Sequence, residues 1–487
     1  MKRLNNLAQI TGEVHSPRYT PESHGVGIVH LGIGAFHRGH MAVYTDDVLA
    51  ADGGAWRITG VSLRSAGVRD RLTPQNGLYT LVERSEKGET YRVIGALKDI
   101  LVAPENPEQV LQRLEDPATR IVSMTITEKG YLRDPASGAL MAEHPDVIHD
   151  LAHPEQPKTM HGYVVEALAR IRQTGRTPFT LLSCDNLPAN GSALQRVVVE
   201  FAALRDRELA DWIAAAVICP NTMVDRIVPA TTREDIDRLS RTLGYQDEAP
   251  VICEPFSQWV IENSLPKPRP AWEKFGVTFV ENVAPYEEMK LRLLNCSHSA
   301  MAYLGYLGGF DFIHQVIAEP SYRNFIEGMM REEIVPTLQM PEDVDLQAYC
   351  ATLIQRFRNT TLGHRTWQIA MDGSLKIPPR ILDTLRDRFA QGLPSPRLML
   401  ALAGWLRYAT GIDEQGQPIE VSDPFAERLR AIADRHQQDI PGYIDAILAV
   451  KEVFGSDLPA QDGFRNQLTT ALTTLYQHGA RQAVAQL

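Results

Sequence analysis

The first half of the chain alternates short apolar runs with stretches that have helical spacing. Four apolar runs, each bounded by glycine, proline or charged residues, predict buried strands at 28–31, 56–63, 120–127 and 178–184. Apolar residues at helical intervals predict helices at 159–173 and 191–207. Strands that alternate with helices indicate a mostly parallel, twisted sheet, in which ligands bind at the carboxyl ends of the strands.

After Lys290 the pattern changes to helical periodicity with few strand signals. Helices are predicted at 291–307, 321–335, 346–357, 379–391, 398–408, 423–438, 441–453 and 464–484. A chain of 487 residues is too long for one ordinary core. We therefore predict an α/β domain with a parallel sheet over residues 1–284 and a mostly helical domain over residues 285–487.

Composition narrows the class of protein. Hydrophobic residues make up 44% and charged residues 22%, as in ordinary soluble globular proteins. The net charge of −11 argues against nucleic acid as a partner, although a local basic pocket could still bind an anionic small molecule. The chain shows no secretion signal and no apolar segment long enough to cross a membrane, so we expect a cytoplasmic protein. Its five scattered cysteines include no CxxC pair, which suggests neither a disulfide framework nor a thiolate zinc site.

A glycine turn follows the first predicted strand. Gly32 and Gly34 stand between that strand and a helix predicted from Phe36 onward. This arrangement brings backbone N–H groups and a helix N-terminus against a pyrophosphate. The third glycine of the usual fingerprint is replaced by His37. The pattern predicts a nucleotide site, and a plain strand-to-helix turn is the alternative.

Polar residues follow the other three strands. Arg64 follows the second strand, and the first acidic residue after it is Asp70. An acid at the end of that strand would bind the ribose 2′-OH of NAD and a basic residue would favour NADP, so this choice stays open. Glu128 and Asn186 follow the third and fourth strands, and a parallel sheet would place them at the same edge as Gly32.

The predicted helix that begins at Pro285 carries three polar side chains in a leucine-rich run. At about 100° per residue, Lys290, Asn295 and His298 share an arc of roughly 140°. Polar groups on an apolar helix are costly to bury unless something polar meets them. The alternative is a helix with a solvated stripe.

Basic residues also gather around a predicted turn at 372–374. His364, Arg365, Lys376 and Arg380 could bind a carboxylate, with arginine providing a bidentate fork. A solvated loop with ordinary surface charges explains them equally simply.

Three separated motifs resemble the long-chain mannitol dehydrogenase family of polyol and sugar-acid oxidoreductases. They are Gly32-x-Gly34-x-Phe36-His37-Arg38-x-His40, Ser183-Cys184-Asp185-Asn186 and Lys290-x4-Asn295-x2-His298. The resemblance runs from about Ile28 to the C-terminus. The strings at 127–131 and 364–374 are similar to members that interconvert D-fructuronate and D-mannonate, whereas 61–65 leans toward mannitol or arabinitol 2-dehydrogenases, which act on uncharged substrates.

The resemblance implies a Rossmann-type N-terminal domain, a helical C-terminal domain and hydride transfer without a metal ion. Lys290 would be the catalytic base, with its pKa lowered by desolvation and nearby positive charge. Asn295, His298 and Asn186 would hydrogen-bond the reacting oxygen.

The resemblance also implies NAD as cofactor, with NADP not excluded. The expected cofactor-binding residues are Gly32, Gly34, Phe36, His37, Arg38, Arg64, Glu128 and Asp225, although structural salt bridges explain the stretch around Asp225 as well. The substrate would be a sugar acid bound by His364, Arg365, Lys376 and Arg380, or a polyol, and the chain would be a monomer or a small homo-oligomer. A dinucleotide-binding sensor is less well supported because the Lys/Asn/His set is present, and a zinc lyase or hydrolase lacks a ligand cluster.

Overall fold

The chain divides into two units, Met1–Ala284 and Pro285–Leu487, in the computed structural model. The structure describes residues 1–134, 137–342, 344–437 and 439–487. Strands and helices alternate in the first unit, whereas helices make up nearly all regular structure described in the second. The predicted combination of an α/β fold with a mostly helical fold is confirmed.

The strands of the first unit form three sheets. They are β1 (Val14–His15), β2 (Val26–Leu31), β3 (Arg57–Ser62), β4 (Tyr79–Ser85), β5 (Gly88–Ile94), β6 (Leu97–Val102), β7 (Ile121–Met124), β8 (Thr180–Ser183), β9 (Thr222–Asp225), β10 (Val251–Cys253), β11 (Gln258–Glu262) and β12 (Thr278–Val280). The main sheet has the order β6-β3-β2-β7-β8, and all its neighbouring strands are parallel. The two smaller sheets have the orders β1-β5-β4-β10 and β12-β11-β9.

Both faces of the main sheet are buried. On β2, Val29 and Leu31 belong to one hydrophobic core and Ile28 to another, as expected when successive side chains point to opposite faces. The same division separates Leu181 from Leu182 on β8. A strand covered on both sides needs an uninterrupted apolar run, which is why these strands could be predicted from sequence.

Helices pack against the sheets of the first unit. They are α1 (Ala35–Gly39), α2 (Met41–Ala51), α3 (Gly67–Leu72), α4 (Pro107–Glu115), α5 (Pro145–Ala152), α6 (Met160–Gln173), α7 (Asn190–Arg205), α8 (Arg207–Ala216) and α9 (Arg233–Leu243). The predicted helix at 191–207 is α7, which ends at Arg205, and Asp206 is the N-cap of a separate helix, α8. The predicted strand at 120–127 ends at Met124, so residues 125–127 form a loop at the carboxyl edge.

The smaller sheets were not predicted. The β4–β5 hairpin turns tightly at Glu86 and Lys87, and its strands mix polar and apolar residues because one face is partly exposed. The strands β9, β10, β11 and β12 are each three to five residues long, too short to show a clear period.

The second unit is built from helices. They are α10 (Ala284–Met289), α11 (Cys296–Leu307), α12 (Ile313–Ala318), α13 (Pro320–Gly328), α14 (Leu346–Arg358), α15 (Thr366–Ala370), α16 (Gly373–Ile377), α17 (Asp383–Ala390), α18 (Pro396–Ala409), α19 (Ala426–Arg435), α20 (Ile440–Leu448), α21 (Lys451–Phe454) and α22 (Phe464–Ala485). Helix α22 is interrupted at Gly479. The buried helix α11 packs against α15, α18 and α22, and Gly404 of α18 allows close approach because a Cβ there would lie 2.7 Å from Leu304.

Three π-helical segments interrupt helices that were predicted as continuous. They are Lys290–Asn295, Met329–Ile334 and Pro378–Leu382, and the first contacts both others. The predictions at 291–307, 321–335 and 379–391 are therefore wrong in this detail, because an average period cannot reveal one inserted residue. Gln438, the predicted end of another helix, lies outside the described residues.

Within the described parts of the chain, no helix is both long and apolar enough to cross a membrane.

Candidate functional site

The glycine turn after β2 has a fixed backbone geometry. Gly32 has φ +87°, and a Cβ at this position would overlap the carbonyl oxygen of Thr125. Its N–H donates to Val61 O at 2.8 Å, and the N–H of Gly34 donates to Gly32 O at 2.7 Å. Only glycine satisfies both the positive φ and the close approach at position 32.

The turn has room for a pyrophosphate. Gly34 is the N-cap of α1, and no side chain caps this helix end. A Cβ added at Gly34 would meet nothing closer than Gly32 O, at 3.8 Å. An open glycine turn that leads into a helix is the arrangement that lets backbone N–H groups approach a phosphate, so these residues fit a dinucleotide.

Arg38 stabilises the turn through hydrogen bonds to main-chain carbonyl groups. Its guanidinium is buried and donates to Ala249 O at 2.6 Å and to Gly34 O at 3.3 Å. The neighbouring Gly39 O accepts from Arg226 Nη1 at 2.9 Å. These described contacts of Arg38 are with main-chain carbonyls, so its effect on a cofactor would pass through the position of Gly34.

His37, which replaces the third glycine, is buried and stacks on His30 of β2 with ring centroids 3.5 Å apart. Thr125 Oγ1 donates to Gly32 O at 2.9 Å, so it must accept from His30 Nε2–H, also at 2.9 Å. His30 Nδ1 is then the acceptor for Ser123 Oγ at 2.8 Å. Burial lowers the pKa of His30 to about 3, consistent with this neutral tautomer. The ring stack therefore takes the place of the helix–strand contact that a third glycine allows.

The loops after β7 and β8 meet at the same edge of the sheet. Glu128 begins a 3-10 turn, Glu128–Tyr131, and is exposed, as is Asn186. Asp185 links the two loops, because its carboxylate accepts the N–H groups of Ile126 at 3.0 Å and Thr127 at 2.9 Å. The sequence offered no signal for this role of Asp185 beyond its place in a motif.

Two other predicted cofactor residues lie on different strands. Arg64 is exposed just beyond β3, the neighbour of β2. Asp225 is buried at the end of β9 in the three-stranded sheet. Phe36 remains at the glycine turn and stacks on His40 with centroids 5.0 Å apart. The structure thus places Phe36 at the turn and Arg64 at the main sheet, but Asp225 belongs to another sheet.

In the second unit, the Lys/Asn/His set begins in a π turn. Lys290 is buried and opens the segment Lys290–Asn295, and His298 follows in the first turn of α11. The predicted arc assumed an α-helix throughout and was too wide. In a π turn the backbone hydrogen bonds join residues five apart, so five residues complete little more than one rotation of the helix. Lys290 and Asn295 therefore lie nearer to the same face than they would in an α-helix.

His298 lies among basic and aromatic side chains. Its ring centroid is 4.7 Å from that of Phe357 and 5.8 Å from that of His364. Burial holds the pKa of His298 well below its usual value, and His364, Arg356 and Arg380 lower it further. Burial and Arg356 lower the pKa of His364 to about 4. Both imidazoles are therefore neutral at pH 7.

Arg380 reaches the same helix from its own π turn. Its Nη1 donates to Ser299 Oγ at 3.1 Å and to Asn295 O at 3.4 Å. Lys376, one turn earlier, donates to Ile369 O at 3.4 Å. The guanidinium of Arg365 is exposed and lies 5.0 Å from the ring centroid of Phe312. Of the predicted substrate residues, His364 and Arg380 contact the helix that carries Asn295 and His298.

Three residues near His298 were missed by sequence reasoning. Arg356 and Phe357 stand at the end of α14, and Ser299 follows His298. A basic residue and a phenylalanine at a helix end are common, so neither carried a signal. The spacing of five between Lys290 and Asn295 was a usable signal for the π turn, since it matches the i to i+5 bond.

Among the residues that the structure describes, no group of three His, Cys, Asp or Glu side chains could hold a metal ion.

Comparison with known proteins accounts for most of the chain. Residues 26–274 match the mannitol dehydrogenase Rossmann domain, and residues 282–476 match the mannitol dehydrogenase C-terminal domain. D-mannonate oxidoreductase from Escherichia coli is 44% identical over 94% of this chain and 95% of its own. Mannitol 2-dehydrogenase from Phaeosphaeria nodorum is 43% identical over 100% of this chain and 84% of its own.

A solved structure is also similar over nearly the whole length. It is the Pseudomonas fluorescens mannitol 2-dehydrogenase in ternary complex with NAD and D-mannitol. The TM-score is 0.88 at 39% identity, covering 99% of both chains.

Proposed function

Because the chain belongs to the mannitol dehydrogenase family of oxidoreductases, we propose that it is an NAD-dependent fructuronate reductase. It would interconvert D-fructuronate and D-mannonate with a lysine as its acid–base group. The observation that carries the choice of a sugar acid is the positive surroundings of His298.

The charged groups that act on His298 are basic side chains. Arg356 is buried and Arg380 half-buried, and both lower the pKa of His298. A substrate carboxylate beside these guanidiniums would gain charge-assisted hydrogen bonds, for which arginine is well suited. A neutral polyol has no carboxylate to form such bonds.

The reacting oxygen must gain a proton when the ketone is reduced. When bound, the nicotinamide supplies the hydride to carbon. Lys290 as an ammonium group would donate the proton, and in the reverse direction the amine would accept it. Asn295 and neutral His298 would donate hydrogen bonds to the oxygen as negative charge develops, with Asn186 as a further proposed donor.

The N-terminal unit provides the residues for NAD. The glycine turn and the start of α1 would bind the pyrophosphate, with Phe36 beside them. Arg64 and Glu128 follow β3 and β7, the two strands that flank β2, and would contact other parts of the cofactor. NADP is the alternative cofactor, because no acidic residue lies between Ser62 and Asp70.

An uncharged polyol or ketose is the second candidate substrate. Relatives named for mannitol and for mannonate are 43% and 44% identical to this chain, so identity does not distinguish them. Likeness to the complex that contains D-mannitol supports this alternative.

Initial rates of reduction separate the two. We expect kcat/KM for D-fructuronate with NADH to exceed that for D-fructose at least tenfold, since a buried carboxylate pairing contributes roughly 1.5–3 kcal/mol. NADPH in parallel reactions measures cofactor preference. Faster reduction of fructose than of fructuronate would replace the proposed substrate with a ketose, and reduction of neither would refute both.

A further inference from the structure

Asp185 connects the ends of two neighbouring parallel strands. It follows β8 and stands directly before Asn186. Its Oδ2 accepts the N–H of Ile126 at 3.0 Å, and its Oδ1 accepts the N–H of Thr127 at 2.9 Å. A single buried carboxylate thus bonds two successive N–H groups of the loop after β7.

The loop that it holds contains a strained residue. Thr127 has φ +63° and ψ 162°, a conformation found almost only for glycine. A β-branched residue persists there only when its surroundings determine the backbone, and such residues cluster at functional sites. The N–H that Asp185 accepts is that of the strained residue itself.

A hydrogen-bond network fixes the carboxylate in turn. Tyr131, at the end of the same loop, donates its hydroxyl to Asp185 Oδ2 at 2.9 Å. Ser183 Oγ is 2.5 Å from the Tyr131 hydroxyl and accepts the N–H of Asp185 at 3.3 Å. Below them, Asn190 Nδ2 donates to Asp185 O at 3.0 Å and to Ser183 O at 3.3 Å. Both the side chain and the main chain of Asp185 are therefore held in place.

We propose that Asp185 is a positioning residue for the reaction: it holds the strained loop at 126–131, and through its own backbone it sets the position of Asn186. The proposal rests on the proposed function, because Asn186 is assigned there to the reacting oxygen. Asp185 acts only through Glu128 and Asn186, which stand at the carboxyl edge beside Gly32.

Asp185→Asn keeps the shape and removes one acceptor. Whichever way the amide turns, its NH2 group faces an N–H donor, so either Ile126 or Thr127 loses its bond. We expect kcat for the better of fructuronate and fructose to fall at least tenfold, because small displacements of positioning groups cost up to about 100-fold. The dissociation constant for NADH should also rise, because Glu128 lies on the same loop and is a proposed cofactor contact.

Asp150→Asn is the matched control. Asp150 is also buried and accepts two successive N–H groups, those of Lys158 and Thr159, both at 2.8 Å. It also accepts a side-chain hydroxyl, that of Thr159, at 2.7 Å. This variant should lose a similar amount in Tm while keeping kcat within twofold.

Thr127→Gly tests the link to strain. Glycine adopts the positive φ without cost, so in the Asp185→Asn background it should restore kcat at least threefold, and alone it should leave kcat near that of the natural protein. Absence of rescue in the double variant would refute the part played by strain.

Hydrogen–deuterium exchange provides a readout that does not depend on activity. In Asp185→Asn, peptides covering 124–131 should exchange at least tenfold faster, whereas those covering 156–162 should not change. Unchanged exchange at 124–131, or equal loss of kcat in Asp185→Asn and Asp150→Asn, would overturn the positioning role. Failure of the natural protein to reduce either substrate would refute the proposed function, and the exchange result would still decide whether Asp185 holds the loop.

Discussion

The two regions that carry the candidate residues differ in whether main-chain groups or side chains form them. At the carboxyl edge of the main sheet, the fixed parts are main-chain groups: a glycine turn at Gly32, and a loop held by the carboxylate of Asp185. On α11 and the π turn before it, the candidate groups are side chains, with arginines around a neutral His298. The first region is defined mainly by the shape of its backbone, and the second by the charge of its side chains.

This difference predicts that substitutions in the two regions affect different measured quantities. A substitution that displaces the backbone of the first region also disturbs the fold, so it should cost stability as well as affinity. A side chain on a packed helix can be replaced without moving the backbone. Changes in the second region should therefore cost rate or charge selectivity while stability is largely kept.

The largest expected effect is the loss of the proposed acid–base group. Lys290→Met keeps length and fills the buried position with an apolar side chain. We expect kcat to fall by about 10³-fold, the range typical of a general acid or base. NADH affinity, measured by fluorescence titration, should stay within twofold, since the cofactor residues belong to the other unit.

Lys87→Met, at the exposed β4–β5 turn, is the matched control and should leave kcat unchanged. Substantial turnover by Lys290→Met would remove the lysine from the mechanism. A parallel loss of NADH binding would show that the two regions are not separable in the way proposed.

Two glycine variants distinguish the backbone conformation of the turn from the room that the turn leaves for a ligand. Gly32→Ala combines a positive φ with overlap on Thr125 O, so we expect a loss of about 3 kcal/mol in unfolding free energy together with loss of NADH binding. Gly34→Ala has room for its methyl group and should leave stability within about 0.5 kcal/mol.

If a pyrophosphate occupies that room, Gly34→Ala should still weaken NADH binding at least tenfold. Urea unfolding and NADH titration measure the two quantities separately. Normal affinity in Gly34→Ala would place the cofactor away from this turn.

Arg380→Met tests charge selectivity in the second region. Loss of one charge-assisted hydrogen bond should lower kcat/KM for D-fructuronate by about 10- to 100-fold, and that for D-fructose much less. Arg365→Met should have at most a fivefold effect, because exposed charges contribute roughly 0–1 kcal/mol. An equal loss for both substrates in Arg380→Met would mean that Arg380 acts only by bracing Asn295 and Ser299.

Sequence reasoning succeeded where a pattern repeats or where geometry demands one residue type. The buried run of β2 and the glycine at position 32 are examples, since each is nearly the only solution to its constraint. It failed where one residue changes a regular element, as at the π turn Lys290–Asn295. Arg356 was also missed, because a residue brought near His298 by tertiary packing leaves no local pattern.

Acid should weaken the first unit more steeply than the second. Three of its fully buried histidines, His30, His37 and His161, have lowered pKa values, about 3 for His30 and about 4 for His161. Their folded pKa values lie below the unfolded value, so the stability they carry is present above pH 6.5 and is lost as pH falls toward 4. Each histidine contributes a slope of about 1.4 kcal/mol per pH unit in that window.

Urea unfolding between pH 7.5 and 5, followed by exchange in each unit, measures this slope. His161→Phe should reduce the pH dependence of the unfolding free energy of the first unit by the contribution of one histidine. His153→Gln, at an exposed position, should leave that pH dependence unchanged. The raised pKa of buried Asp247 acts in the opposite sense, and it affects both variants equally. Equal slopes for both variants would contradict the assignment.

The smallest expected effect concerns the cysteines that flank the candidate asparagines of each region. Cys184 lies two residues before Asn186, and Cys296 directly follows Asn295. Both cysteines are buried. Burial raises the pKa of each thiol, to about 12 for Cys296. Because only the thiolate is nucleophilic, iodoacetamide at pH 8 should leave both thiols unmodified and activity unchanged, by peptide mass spectrometry and by rate. In 6 M guanidinium chloride both should react. Modification of Cys184 alone in the folded protein would show that the loop at the sheet edge opens, and modification of Cys296 alone would show that the helical region does.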